Sequence, residues 1–145
     1  MKIVLQRVKK ASVTVNSEII GQIQKGYLLF ICFESDDSEE KIEQAVNKII
    51  NLRIFEDENE KMNLNLEQVN GSILSISQFT LSWDGKKGHR PSFDKSMQPD
   101  KAKIYYALFN KKLKEQGIRV EHGSFGENMQ VSLVNDGPVT FTLNY

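Results

Sequence analysis

The sequence predicts an α+β domain: a largely antiparallel, barrel-like β-sheet with two helices packed on it. Three observations carry this. Runs of β-branched and alternating apolar residues, separated by brief polar turns, fill both ends of the chain. Two segments switch to the helical period of about 3.6 residues. A length of 145 residues suits one core, so residues 1–145 are read as a single domain.

The elements follow in order. IVLQRV and ASVTV read as strands, and a polar turn at Asn16-Ser17-Glu18 leads into IIGQI. Gly26 precedes YLLFICF, a continuous apolar run expected of a strand buried on both faces. Together these segments suggest an antiparallel meander. From Ser38 to Ile50 the apolar residues Ile42, Ala45, Val46, Ile49 and Ile50 fall on one helical stripe. Asp36, Asp37 and Ser38 are candidate caps, and Glu39 and Glu40 suit the first turn. The acidic loop EDENEK leads to MNLNL and then to the strongly β run SILSISQFTL. A polar stretch between Ser82 and Gln98 carries Gly85, Gly88 and Pro91 and is long enough for a functional loop. Pro99 fits the first turn of a second helix and Gly117 the position just past its end. Its inward stripe is Ala102, Tyr106, Phe109 and Leu113, with Lys101, Lys103, Lys111, Lys112 and Lys114 in water. IRVEH, MQVSLV and VTFTL complete the strands, the last two separated by the turn-forming NDGPVT.

Hydrophobic residues make up 39% and charged residues 26%, as expected of a soluble globular protein. No apolar run approaches the ~20 residues of a membrane span, and the N-terminal Ile3-Val4-Leu5 is too short for a signal core. Cys32 lies alone in YLLFICF and reads as a buried thiol of a cytoplasmic protein. Net charge is zero, yet the charge is divided. Glu34 to Glu67 holds eleven acids and four bases, whereas Lys86 to Arg119 holds ten bases and three acids. A positive face for a polyanion is therefore compatible with overall neutrality, as are two solvated surfaces.

The chemistry must be sought outside the usual sets. With two histidines, one cysteine and no spaced ligand cluster, neither a metal nor another cofactor is expected. There is no phosphate-binding loop, dinucleotide fingerprint or nucleophile elbow. Hydroxyls, amides and backbone groups remain. SQFTL (Ser77 to Leu81) supplies two hydroxyls and an amide at a strand end, where N–H groups are free to stabilise an oxyanion. Thr80 is also a candidate nucleophile, although no base for it is evident. In NDGPVT, Gly137 permits close backbone approach, and Pro138 permits a cis bond. Taken alone, each motif is compatible with a plain strand end and a plain hairpin corner.

Taken together, QRVKKASVTV, NLRIFEDENEKMNLNL, SQFTL, KGHRPSF and FGENMQVSLVNDGPVT resemble the D-aminoacyl-tRNA deacylases of the D-tyrosyl-tRNA deacylase type. The resemblance runs along essentially the whole chain. It implies a homodimeric hydrolase that cleaves the ester between a D-amino acid and the 3′ end of tRNA, with active sites across the subunit interface. It implies that Ser77, Gln78, Phe79 and Thr80 form the catalytic pocket. It further implies that a cis Gly137-Pro138 pair from the partner is inserted over it, braced by Arg7, with Phe125 and Met129 nearby. The Gly137 and Pro138 carbonyls would accept hydrogen bonds from the substrate ammonium. An L side chain would meet a rigid wall, whereas glycine, having none, is expected to be cleaved to some extent. Lys86, Lys87 and Arg90 would contact tRNA phosphates. Two mechanisms stay open: attack by Thr80, or attack by water assisted by the terminal ribose 2′-OH. A non-catalytic RNA-binding module and a small-molecule esterase are the rival classes.

Overall fold

The computed structural model describes residues 1–86 and 88–145. Eight strands and two helices appear in the order β1 (Lys2–Val15), β2 (Glu18–Ile23), β3 (Gly26–Cys32), α1 (Glu39–Asn51), β4 (Phe55–Glu56), β5 (Met62–Leu64), β6 (Ser72–Ser77), α2 (Pro99–Glu115), β7 (Arg119–His122) and β8 (Gln130–Asn144). The main sheet runs β2-β1-β3-β6-β7, with β8 on the other edge of β1. β2 also approaches β6 and β7, so the sheet nearly closes into a barrel. The expected α+β class stands. β3/β6 and β6/β7 pair in parallel, the remaining pairs antiparallel.

The first third is not a meander. IVLQRV and ASVTV are one strand, and both β2 and β3 pair with it, β3 through Lys2–Val8 and β2 through Ala11–Val15. The handover explains an irregularity in the sequence. Ile3 and Leu5 belong to the larger apolar cluster, which includes the helices, whereas Val8, Ala11 and Val13 belong to a second cluster with Ile23, Leu28, Leu74 and Ile76. The alternation slips at Arg7-Val8, both buried, and slips back at Lys9-Lys10, both exposed, where β1 exchanges one neighbour for another. Asn16 and Ser17, both at positive φ, form the two-residue turn that joins β1 to β2.

β3 is buried on both faces, as its apolar run requires: Tyr27, Leu29 and Ile31 enter the first cluster and Leu28 the second. At its start Gly26 lies so close to β6 that a Cβ would overlap the Ser72 carbonyl oxygen. α1 is capped by Ser38, whose side chain accepts from the Lys41 N–H. Asp37, a rival cap candidate, is instead buried, 2.6 Å from the Met1 ammonium. α2 begins at Pro99, and Gly117 follows its end at φ 79°. Ala102, Tyr106, Phe109 and Leu113 are buried as the stripe predicts. No helix among the described residues is long and apolar enough to cross a membrane.

Two motifs adopt a different local structure from the one expected. The β run SILSISQFTL ends at Ser77, and Phe79–Ser82 forms one 3₁₀ turn. Within it the Leu81 N–H donates to the Gln78 carbonyl. NDGPVT is not a hairpin corner, because MQVSLV and VTFTL are halves of the single strand β8. Gln6 pairs with Thr140 and Val8 with Asn135, so Asp136, Gly137, Pro138 and Val139 all stand opposite Arg7. The segment is a large bulge in a continuous edge strand.

Candidate active site

A pocket of about 600 Å³ opens where the parallel strands β3 and β6 end. Ile31, Cys32 and Phe33 come from β3 and the residue beyond it, and Ile76, Ser77, Gln78 and Phe79 from β6 and the 3₁₀ turn. The start of α2 and the β7–β8 connection, with Phe125 and Met129, close the other sides. The carboxyl ends of parallel strands collect chain reversals and unpaired backbone groups there, which favours ligand sites. The lining is mainly apolar, with Ser77 and Gln78 among its polar members.

The sequence-predicted residues fall into two groups. Ser77, Gln78, Phe79, Phe125 and Met129 line this pocket together. Thr80 lies at its margin, exposed, with its Oγ1 accepting from Gln78 Nε2 at 2.6 Å. The Gln78 N–H donates to the Ile31 carbonyl at 2.7 Å, which ties the 3₁₀ turn to β3. The first N–H groups of a helical turn have no acceptor within it, and here these belong to Phe79 and Thr80.

Gly137, Pro138 and Arg7 form the second group and do not line that pocket. The Gly137-Pro138 bond is cis, and both residues are exposed. Arg7 is only 4% exposed and holds the base of their bulge. Its Nε donates to the Asp136 carbonyl at 2.9 Å and its Nη1 to the Ile54 carbonyl at 2.6 Å. Asn135 clamps the bulge from within, accepting from the Val139 N–H at 2.8 Å and donating to Thr140 Oγ1 at 2.9 Å. The exposed pair is thus held by a buried guanidinium on one side and an amide on the other.

Lys86 and Arg90 are exposed in the loop after the 3₁₀ turn. Lys87 lies outside the described residues. Sequence reasoning passed over the aromatics of this region. Phe93 lines the pocket and meets Phe79 edge to face at 5.0 Å between centroids, and Trp83 is exposed beside the turn. The available signal was the pair of aromatics, Trp83 and Phe93, in an otherwise polar loop. Cys32 also lines the pocket and is buried. Burial, reinforced by Glu34, pushes its thiol up to about 11. Its Sγ faces the Phe79 carbonyl at 3.5 Å, so it contributes packing and a weak donor, not a thiolate.

Comparisons with known proteins agree along the whole chain. The family model described as D-Tyr-tRNA(Tyr) deacylase matches residues 4–144. The D-aminoacyl-tRNA deacylase of Exiguobacterium sibiricum is 53% identical over 143 residues, covering 99% of each chain. That of Lactobacillus gasseri is 49% identical over 144 residues, again 99% of each. Among solved structures, c-Myc DNA Unwinding Element Binding Protein superposes with a TM-score of 0.94 at 39% identity, covering 100% of this chain and 99% of that one. A probable eukaryotic D-amino acid tRNA deacylase, 20% identical with a TM-score of 0.85 over 98% and 97% of the two chains, shares the fold. The chain belongs to the D-Tyr-tRNA(Tyr) deacylase family.

Proposed function

We propose that the protein hydrolyses the ester of D-aminoacyl-tRNA in the cytoplasm as a homodimer, each pocket being completed by the Gly137-Pro138 bulge of a second copy. The observation that carries this reading is the separation of the two groups. Ser77, Gln78, Phe79, Phe125 and Met129 line a pocket, while the Gly137-Pro138 pair of the same chain projects elsewhere. β8 supplies a surface for the second copy. Among the described residues it pairs only with β1, and Val134 and Phe141 are exposed along it.

In the proposed complex the substrate carbonyl sits beside the 3₁₀ turn, where the Phe79 and Thr80 N–H groups stabilise the developing oxyanion. Aminoacyl esters are labile, so positioning and oxyanion stabilisation supply the required acceleration without a strong base. Water attacks, assisted by the ribose 2′-OH of the terminal adenosine. Thr80 is a poor nucleophile here, because its Oγ1 accepts from the Gln78 amide and, among the described residues, hydrogen-bonds to no base. The partner's Gly137 and Pro138 carbonyls accept from the substrate ammonium and leave no room for an L side chain. Glycyl-tRNA, without a side chain to reject, is cleaved as well. Lys86, Lys87 and Arg90 meet the acceptor-stem phosphates.

Incubation with matched D- and L-aminoacyl-tRNA tests the reading. Selective loss of the D-ester supports it. Binding without cleavage indicates an RNA-binding module, and hydrolysis of simple esters indicates a general esterase.

A further inference from the structure

A second groove, of about 660 Å³, lies between α2 and the β7–β8 connection. Lys103, Asn110, Lys111 and Lys114 line it from α2, facing His122 and Phe125. Lys103, Ala107, Asn110, Lys111 and Lys114 follow helical spacing and form one stripe, spanning roughly 16 Å between its end residues. Among the described residues Glu115 is the one acid in the lining, and its pairing with Lys111 at 3.7 Å is exposed and worth little. Among the described residues, Lys103 and Lys114 make no ion pair, whereas the neighbouring Lys112 is bound to Glu43 at 2.8 Å.

The floor is rigid and partly aromatic. Tyr106, buried with its hydroxyl donating to the Ser75 carbonyl at 2.7 Å, packs against Phe125 and His122 with centroids 5.9 and 6.4 Å away. Asn110 is 5% exposed, and its Oδ1 has no partner among the described residues. Cations along one wall of a groove whose lining includes Tyr106, His122 and Phe125 suit a nucleic-acid strand. Its position suits the same purpose, because Phe125 lines both this groove and the pocket that contains Ser77 and Gln78.

We infer that this groove binds the sugar-phosphate backbone of the tRNA strand leading to the esterified 3′ end, with Lys103, Lys111 and Lys114 neutralising its phosphates. The inference rests on the deacylase reading for the identity of the strand. It assigns the lysine-rich face of α2 to substrate binding, where the sequence alone offered a solvated surface.

The test compares the unaltered protein, K103Q/K111Q/K114Q and a K48Q/K61Q control, whose lysines are exposed outside the groove. Binding of fluorescently labelled, uncharged tRNA is measured from about 50 to 200 mM salt. Loss of three contacts flattens the log–log salt slope by about two and weakens binding about tenfold or more at the low-salt end, whereas the control leaves the slope unchanged. Hydrolysis of a D-aminoacyl-adenosine, which ends before the groove, stays within about twofold for the triple variant. A triple variant with the parental slope overturns the inference, as does an equal loss on the adenosine ester. If the unaltered protein fails to cleave D-aminoacyl-tRNA, the deacylase reading falls, and the tRNA binding measurement still decides the groove.

Discussion

The Arg7 guanidinium donates through Nε to the carbonyl of Asp136, 2.9 Å away, and so ties the middle of β1 to the first residue of the β8 bulge. Its Nη1 reaches the Ile54 carbonyl just beyond α1. One buried side chain therefore sets the bulge position relative to the body of the domain. Arg7→Met retains most of the volume but leaves two carbonyls without their donors. Each unpaired group costs about 1–3 kcal/mol, so a loss of roughly 3 kcal/mol in denaturant unfolding is expected. Deacylation of D-aminoacyl-tRNA should fall by about 100-fold or more, because a loosened bulge misplaces its carbonyls. Arg7→Lys restores charge but not the fork, and should recover little of the activity.

Gly137 tests the bulge itself, with the Arg7 side chain retained. It has φ 136°, and a Cβ there would stand 2.7 Å from Val139 Cγ2 and 3.1 Å from Arg7 Nη2. Gly137→Ala therefore forces the exposed pair to shift. The segment is on the surface, so the melting temperature should change by only a few degrees. D-Aminoacyl-tRNA hydrolysis should drop by about 100-fold or more. Retention of activity within a few-fold would remove the bulge from the site.

These two positions also mark how far the sequence could be read. Local signals carried well. Ser38 capped α1, Pro99 and Gly117 bounded α2, and the unbroken apolar run of β3 correctly implied burial on both faces. What failed depended on pairing between distant segments. Nothing near Lys9-Lys10 discloses that IVLQRV and ASVTV form one strand, because the partners that hold it straight lie at residues 18–32 and 130–144. Without that knowledge NDGPVT has the composition of a corner, when β1 passes beneath it and makes it a bulge. The parallel pairing of β3, β6 and β7 is equally non-local, and it places Ser77 and Gln78 beside Cys32. Asn110 shares the buried stripe of Tyr106 and Leu113 and was missed because an amide is read as wet by default, and Phe93 because an aromatic in a polar loop has no period to place it.

Thr80 separates the two mechanisms. If water attacks with help from the ribose, Thr80→Ala loses only the contact with Gln78, and single-turnover cleavage should fall by about tenfold or less. A substrate ending in 2′-deoxyadenosine should then be cleaved at least about 100-fold more slowly, since the assisting hydroxyl is gone. Complete inactivity of Thr80→Ala with unchanged substrate binding, together with normal cleavage of the deoxy substrate, would assign the attack to Thr80.

Cys32 yields a pH prediction whose sign is fixed by the direction of its shift. Burial raises the thiol to about 11, so the folded state binds that proton more tightly than the unfolded chain does. The resulting stability is complete below the ordinary thiol range near 9 and is lost as pH rises through about 11. Between these values unfolding free energy should decline more steeply in the parent than in Cys32→Ala. At neutral pH the thiol should resist iodoacetamide until the protein unfolds, and Cys32→Ser, which keeps a donor towards the Phe79 carbonyl, should remain active. Rapid alkylation of the folded protein with parallel loss of activity would contradict this assignment.

The basic loop after the 3₁₀ turn makes a prediction that can be separated from that of the α2 groove. Lys86 and Arg90 are exposed, and the Lys86 N–H is anchored to Asp84 Oδ1 at 3.1 Å. If both cations lie on acceptor-stem phosphates, K86Q/R90Q should flatten the log–log salt slope of tRNA binding by nearly two, as expected for contacts with a duplex. Hydrolysis of a D-aminoacyl-adenosine should be unaffected, because that substrate has no stem. Contacts at separate phosphates act independently, so combining K86Q/R90Q with K103Q/K111Q/K114Q should add the two slope changes. A combined variant no worse than either parent would mean that the two basic regions do not hold the same tRNA at the same time. A salt slope unchanged in K86Q/R90Q would remove the loop from the binding face.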